Sequence, residues 1–492
     1  MNNNYGKATI TILILGILIL LALVPWFFVI TNFFGLDLFS GGDDDDYYYG
    51  ENPPIVGDSE QIPYDPPDEN NDGAVDDYPD EPPDVPEVPD YSGGNPSRGE
   101  DDPAANVEMV VRQLSAEHPE IYDELTRLAT EHNAVSAALV VFDGNIGEYY
   151  TFEFGFADRD ARRRVDVDTR FRVASLTKLV TAIAVLTLYD DGLIDLDVDI
   201  SRYFGFEVRN SNFPETPITA RMLLQHTSSL FDSGAFQVSR DRGSSDSVRV
   251  LLERGTSFRR NQPGSTFEYS NFGYAVLSAL AERVTGKTLD ALAREVIFEP
   301  LGIDAAYVAE NLQDTENIAV IYNDSHGVTR TVQSQLNVRE TGTPGHDLHL
   351  AQGNLYISLI DYARILAMLG NGGSLDGVRI LSSAAVREMH NADVEGRSYA
   401  QGLATRFSVG DFISGEGFFW HTGSAYGTFA QYVYHEDRNQ GVVVVTVGAS
   451  ISRLANGMVD VCTYMARAAL RIFGFAGPDQ PYEVDHEYYD GD

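Results

Sequence analysis

The stretch Phe171-Arg172-Val173-Ala174-Ser175-Leu176-Thr177-Lys178 runs directly into Leu179 to Tyr189 (LVTAIAVLTLY). That second segment is apolar nearly all round, which predicts a helix buried in a core. If Ser175 opens the helix, Lys178 lies one turn on, on the same face. The hydroxyl then sits at the positive end of the helix dipole, which favours a developing alkoxide. The amine reaches it as a base or as a fixed charge. The bland alternative is a helix N-cap with an unrelated lysine. Composition weighs against it: of 34 basic residues only Lys7, Lys178 and Lys287 are lysine. A buried lysine is costly unless paired or neutral, and an arginine would not release its proton. A lysine kept in this setting asks for a chemical role.

Two further segments carry polar groups suited to the same chemistry. Pro263-Gly264-Ser265-Thr266-Phe267-Glu268-Tyr269-Ser270-Asn271-Phe272-Gly273-Tyr274 offers the phenol of Tyr269 and the amide of Asn271. A phenol beside an ammonium can work as a base, and an amide can orient a carbonyl and hold a lysine. Alone, the segment reads as a turn between a strand-like stretch and a helix. Phe419-Trp420-His421-Thr422-Gly423-Ser424-Ala425-Tyr426-Gly427 precedes two strand-like runs, so it belongs on or beside a sheet strand. Gly423 would let a substrate lie along the backbone, and the amides of Ser424 and Ser175 would form an oxyanion hole.

The order S-x-x-K, Y-S-N, H-T-G resembles the serine beta-lactamase and penicillin-binding-protein superfamily, specifically its class C-like branch. That branch holds D,D-carboxypeptidases, D-aminopeptidases, class C beta-lactamases and lactamase-fold esterases. Ile218 to Leu230 (ITARMLLQHTSSL), Glu299-Pro300-Leu301-Gly302-Ile303 and Ala351-Gln352-Gly353-Asn354-Leu355 strengthen the likeness, which covers roughly residues 105 to 475. The resemblance implies that Ser175 is the acylated nucleophile. It implies that Lys178 and Tyr269 handle its proton as a coupled pair and that Tyr269 activates the deacylating water. Asn271 would bind the substrate amide and Lys178. His421 and Thr422 would approach the substrate carboxylate or Tyr269, while Gly423 and Ser424 line the strand edge. No metal or organic cofactor is implied. Departures bear on specificity. His421 stands where class C beta-lactamases carry lysine, which weakens the hold on an anion and makes it pH-dependent. Ser229 stands where a glycine is usual, and Ser424-Ala425-Tyr426 replaces a glycine-richer run.

The fold expected around these motifs is α+β. An antiparallel sheet flanked by helices meets a mostly helical lobe, with the site in the cleft between them. Ala137 to Phe142 and Glu148 to Phe156 read as a hairpin about Asp143-Gly144-Asn145. Gly441 to Gly448 (GVVVVTVG) reads as a buried strand, and Val107 to Glu131 carries apolar residues at helical spacing.

Outside this body the chain changes character. Residues 1–7 read as a cytoplasmic N-terminus. The uncharged apolar run of residues 8–34 exceeds the ~20 residues needed to cross a bilayer, and reads as a transmembrane signal anchor. A cleaved signal peptide is the rival reading. Residues 41–102 contain 21 acidic residues, one basic residue and many prolines, the composition of a disordered spacer. Residues 103–476 form the hydrolase body and 477–492 an acidic tail. This order places the catalytic domain outside the cytoplasm, on the cell membrane.

The formal net charge of −40 in 492 residues argues against nucleic acid as a partner. One cysteine, Cys462, excludes an internal disulfide framework and a multi-thiolate zinc site. Gly286-Lys287-Thr288 ends like a phosphate-binding loop, but Ala281 occupies the position of the earlier glycine. The expected function is acyl transfer to water through an acyl-enzyme on Ser175, from a D-amino-acid peptide or an ester. A beta-lactamase and a non-catalytic peptide- or cell-wall-binding protein on the same fold are the rivals.

Overall fold

The computed structural model describes residues 107–475, apart from 238–247, 344, 397 and 455. The anchor, the acidic spacer and the tail inferred from sequence lie outside the described residues. Among the described residues, no helix is long and apolar enough to cross a membrane.

The main sheet has ten strands: β1 (Val110–Gln113), β2 (Ser136–Asp143), β3 (Glu148–Asp158), β4 (Arg163–Arg164), β5 (Val394–Glu395), β6 (Ala400–Gln401), β7 (Arg406–Val409), β8 (Gly417–Ala425), β9 (Thr428–His435) and β10 (Gln440–Val447). Its order is β1-β3-β2-β10-β9-β8-β7-β6-β5, with β4 on β3. The valine run of β10 sits between β2 and β9, where both faces are covered. Successive side chains of a strand point to opposite faces. Val443, Val445 and Val447 accordingly join one apolar core, and Val442 and Val444 join another. On β2, Ala138, Val140 and Phe142 face the first core, while Ala137, Leu139 and Val141 face the second. Helices α1 (Pro119–Glu131) and α5 (Asp460–Leu470) cover the second face. Helices α2 (Thr177–Asp190), α3 (Asn271–Thr285) and α4 (Leu359–Gly370) pack into the first core.

Two expectations are corrected. The sheet is mixed and not purely antiparallel, because β1 pairs with β3 in parallel, Val110 opposite Glu148. The segment from Val107 to Glu131 is not one helix. The β-branched Val110 and Val111 enter the edge strand β1 and a four-residue helix follows, Leu114–Glu117. A new helix then starts at Pro119, where a residue without an N–H costs nothing. The hairpin β2–β3 and the strand β10 form where the sequence predicts them.

Candidate active site

Ser175 lies in a 3-10 turn, Ala174–Leu176, that leads straight into α2. Every residue of α2 from Thr177 to Leu188 is buried, as its uniform apolarity requires. The turn is constrained from several sides. Val173 N–H donates to Leu355 O at 3.0 Å, and Tyr362 OH donates to Leu176 O at 2.9 Å. Ala174 sits at φ +48°, a left-handed conformation that a non-glycine residue holds only where its surroundings enforce it. Strand β8 presses against the same turn. A Cβ on Gly423 would stand 2.6 Å from Val173 O and 3.1 Å from Ser175 N, so only glycine fits. Contact with the Ser175 turn is thus a reason for glycine at 423 beside the substrate approach expected from the sequence.

Lys178 is fully buried. Its Nζ lies 3.3 Å from Ser175 Oγ, 2.7 Å from Asn271 Oδ1 and 2.8 Å from the carbonyl of Gln352. Burial lowers its pKa to about 7; the Asp232 carboxylate works against the shift and the Arg406 guanidinium adds to it. An amine so placed exchanges its proton near neutral pH.

Asn271 opens α3, and Ser270 caps it by accepting from Gly273 N–H at 2.9 Å. The cap fixes the end of the helix, and Tyr269 and Asn271 flank it. The Tyr269 ring centroid lies 4.9 Å from Lys178 Nζ, and the Ser175 side chain is close enough to influence the phenol's proton. Burial raises the phenol's pKa above its ordinary value, although the neighbouring Ser175 side chain and the charge of Arg406 pull the other way. Burial thus favours the neutral form of both partners, an amine free to accept a proton and a phenol that keeps its own.

His421 is buried on β8, its ring 6.3 Å from that of Tyr269. Nδ1 donates to Thr422 O at 2.6 Å, which leaves Nε2 as the lone-pair nitrogen, and that atom has no partner. Burial, Arg406 and Lys178 together push its pKa well below the ordinary histidine value, so the ring is neutral. The weak hold on an anion expected of this histidine becomes essentially no charge at all. Thr422 follows half-buried, and Ser424 pairs across the ladder with Phe429.

The structure thus gathers Ser175, Lys178, Tyr269, Asn271 and His421, with Gly423 against the Ser175 turn. Three participants were missed. Asp232 accepts from Asn271 Nδ2 at 2.7 Å and from Phe272 N–H at 2.9 Å. It lies two residues past the quoted Leu230, one carboxylate among 74 acidic residues. Arg406 on β7 stands opposite Trp420 on β8. Its guanidinium carbon lies 4.6, 5.1 and 5.9 Å from the rings of Tyr399, Trp420 and Tyr269. Among the described residues it has no carboxylate partner, and its Nε is buried without a hydrogen bond. The third is the carbonyl of Gln352, in a segment noted only for its likeness. The substituted positions also declare themselves: Ser229 and Tyr426 adopt φ +64° and +58°, the conformation a glycine takes without cost.

A hydroxyl, a buried amine and a phenol held together at one helix start define the class of serine acyl-transfer hydrolases. The chain belongs to the beta-lactamase family, whose sequence profile, described as Beta-lactamase, matches residues 69–456. The chain is 34% identical over 240 residues to "Esterase EstB" of Burkholderia gladioli, an alignment covering 45% of this chain and 58% of the esterase. It thus spans less than two thirds of that relative. It is 24% identical over 381 residues to "D-alanyl-D-alanine-carboxypeptidase/endopeptidase AmpH" of Escherichia coli (strain K12), covering 74% of this chain and 94% of that protein. The class C beta-lactamase of Rhodobacter sphaeroides superposes with a TM-score of 0.55 at 19% identity, over 72% of this chain and 99% of that one, a likeness of fold.

Proposed function

We propose that this chain is a membrane-tethered, extracytoplasmic serine hydrolase that forms an acyl-enzyme on Ser175 with peptides ending in a D-amino acid, or with related esters. The observation that carries the reading is Lys178, buried, of lowered pKa and 3.3 Å from Ser175 Oγ.

Ser175 Oγ attacks the substrate carbonyl carbon while its proton passes to Lys178 Nζ. The negative charge that develops on the carbonyl oxygen is met by the amides of Ser175 and Ser424. Collapse of the tetrahedral species breaks the bond to the leaving amine or alkoxide, which takes a proton through the Tyr269 phenol. Water then attacks the acyl-enzyme, giving its proton to the Tyr269–Lys178 pair and freeing the carboxylic acid. Asn271 holds Lys178 and offers its amide to the substrate.

The Arg406 guanidinium, which has no carboxylate partner among the described residues, supports a substrate with a free carboxylate near the scissile bond, because neutral His421 supplies no charge. A peptide with a free C-terminus meets that description. A beta-lactam also carries a carboxylate and is the second reading. Turnover of a chromogenic cephalosporin beside D-alanyl peptides and small esters separates the two. The tether rests on the uncharged apolar run of residues 8–34 and on Lys7 before it.

The decisive test is labelling with a fluorescent penicillin and with a fluorophosphonate probe. Wild type should form a covalent adduct at Ser175, located by peptide mass spectrometry, and Ser175→Ala should form none. Absence of an adduct from both reagents would leave a non-catalytic binding protein.

A further inference from the structure

His226 precedes Thr227-Ser228-Ser229 and is fully enclosed. Its backbone stands at φ +58°, so the surroundings hold it in a conformation that most side chains avoid. What those surroundings secure is Tyr269. The carbonyl of His226 accepts from Glu268 N–H at 2.7 Å, and His226 Nδ1 accepts from Ser270 N–H at 3.2 Å. The residues on both sides of Tyr269 are therefore tied to one histidine. Its ring also lies against the phenol, centroid to centroid 4.4 Å with a tilt of 38°, and 5.2 Å from the ring of Tyr274. Phe267 meets it edge-on at 5.8 Å.

We propose that His226 is a positioning residue that sets Tyr269 against Ser175 and does so only as the neutral imidazole. The role rests on the reading of Ser175 as nucleophile and Tyr269 as its proton partner. An Nδ1 that accepts carries no proton, so the neutral ring keeps its hydrogen on Nε2, a buried atom without a partner. Adding a second proton would point an N–H at the N–H of Ser270 and break that tie. It would also place a cation among the groups that face the ring: Lys178, Arg406 and His421, with the phenols of Tyr269 and Tyr274. Burial and the two basic side chains oppose that proton.

Two substitutions separate the hydrogen bond from the ring. His226→Asn keeps an acceptor for Ser270 N–H and tolerates a positive φ. His226→Phe keeps an aromatic ring beside Tyr269 and removes the acceptor. Turnover of a p-nitrophenyl ester is followed for each variant, with circular dichroism fixing the pH range in which every protein stays folded. His226→Phe should lose roughly a hundredfold in kcat with KM little changed, the scale of a misplaced catalytic group. His226→Asn should recover most of that loss. Toward acid, the logarithm of the wild-type rate should steepen from a one-proton to a two-proton slope as Lys178 and then His226 gain protons. His226→Asn should keep the one-proton slope. A wild-type kcat in His226→Phe, or no recovery in His226→Asn, would overturn the positioning role. Equal acid slopes would overturn the need for the neutral ring. If wild type itself forms no adduct at Ser175, the proposed function fails, and that result is distinct from equal behaviour of active variants.

Discussion

Asp232 fixes the direction in which Asn271 faces: its carboxylate accepts from Asn271 Nδ2 at 2.7 Å, which turns Asn271 Oδ1 toward Lys178 Nζ, also at 2.7 Å. The amide can present its oxygen to the lysine only while its nitrogen has somewhere to donate. Asp232→Asn should preserve the fold and blur that orientation. It also removes the negative charge that holds the Lys178 pKa up. The acid limb of kcat/KM should therefore move to lower pH, with maximal activity falling about tenfold, or about 1.4 kcal/mol. A limb that does not move would show that Asp232 has no electrostatic hold on the amine.

The Lys178 pKa of about 7 sets the pH dependence of acylation. The amine accepts the Ser175 proton only when unprotonated, so adduct formation should rise with pH through about 7 and level off above it. Lys178→Arg should abolish labelling at every pH, because a guanidinium keeps its proton. Labelling retained by that variant would mean that positive charge alone suffices.

Gly423→Ala tests the contact between β8 and the Ser175 turn. The added Cβ meets Val173 O at 2.6 Å and the amide of Ser175 at 3.1 Å, backbone atoms that do not rotate away. The expected cost is about 1–3 kcal/mol of stability, read as a lower Tm, together with slower labelling because the turn is displaced. Unchanged Tm and labelling would mean that the two segments separate freely.

Arg406→Gln should distinguish substrates by charge. KM for D-alanyl peptides with a free carboxylate should rise about tenfold, the scale of one charge-assisted contact. KM for uncharged esters should stay as it was. An equal effect on both classes would place Arg406 outside the substrate site and leave it a partner of Tyr399 and Trp420 only.

Much of the site is legible in local sequence. The three-residue step from Ser175 to Lys178 fixes their separation wherever a helix forms, and the apolar run after it secures both the helix and its burial. The place of His421 on a strand follows from the strand-like runs that come after it. Asp232 and Arg406 carry no local mark. Each is one of many like residues, and each matters only through a neighbour far along the chain, Asn271 or the rings of Tyr269 and Trp420. The parallel pairing of β1 was hidden for a related reason. Val110 and Val111 satisfy a helical pattern as well as a strand pattern, and the free edge of β3 decides between them.

Local sequence is enough to give the order of the reactive segments, the buried helix behind Ser175, the valine strand at the centre of the sheet and the acidic, apolar and proline-rich character of the flanking chain. These follow from side-chain chemistry and short-range spacing, which need no distant partner. Which groups surround the lysine, why its proton is loosely held, which face of Asn271 meets it and how His226 holds Tyr269 emerge only on folding. Burial and charge act through space, and the groups responsible come from segments that meet only when the sheet and its helices are assembled.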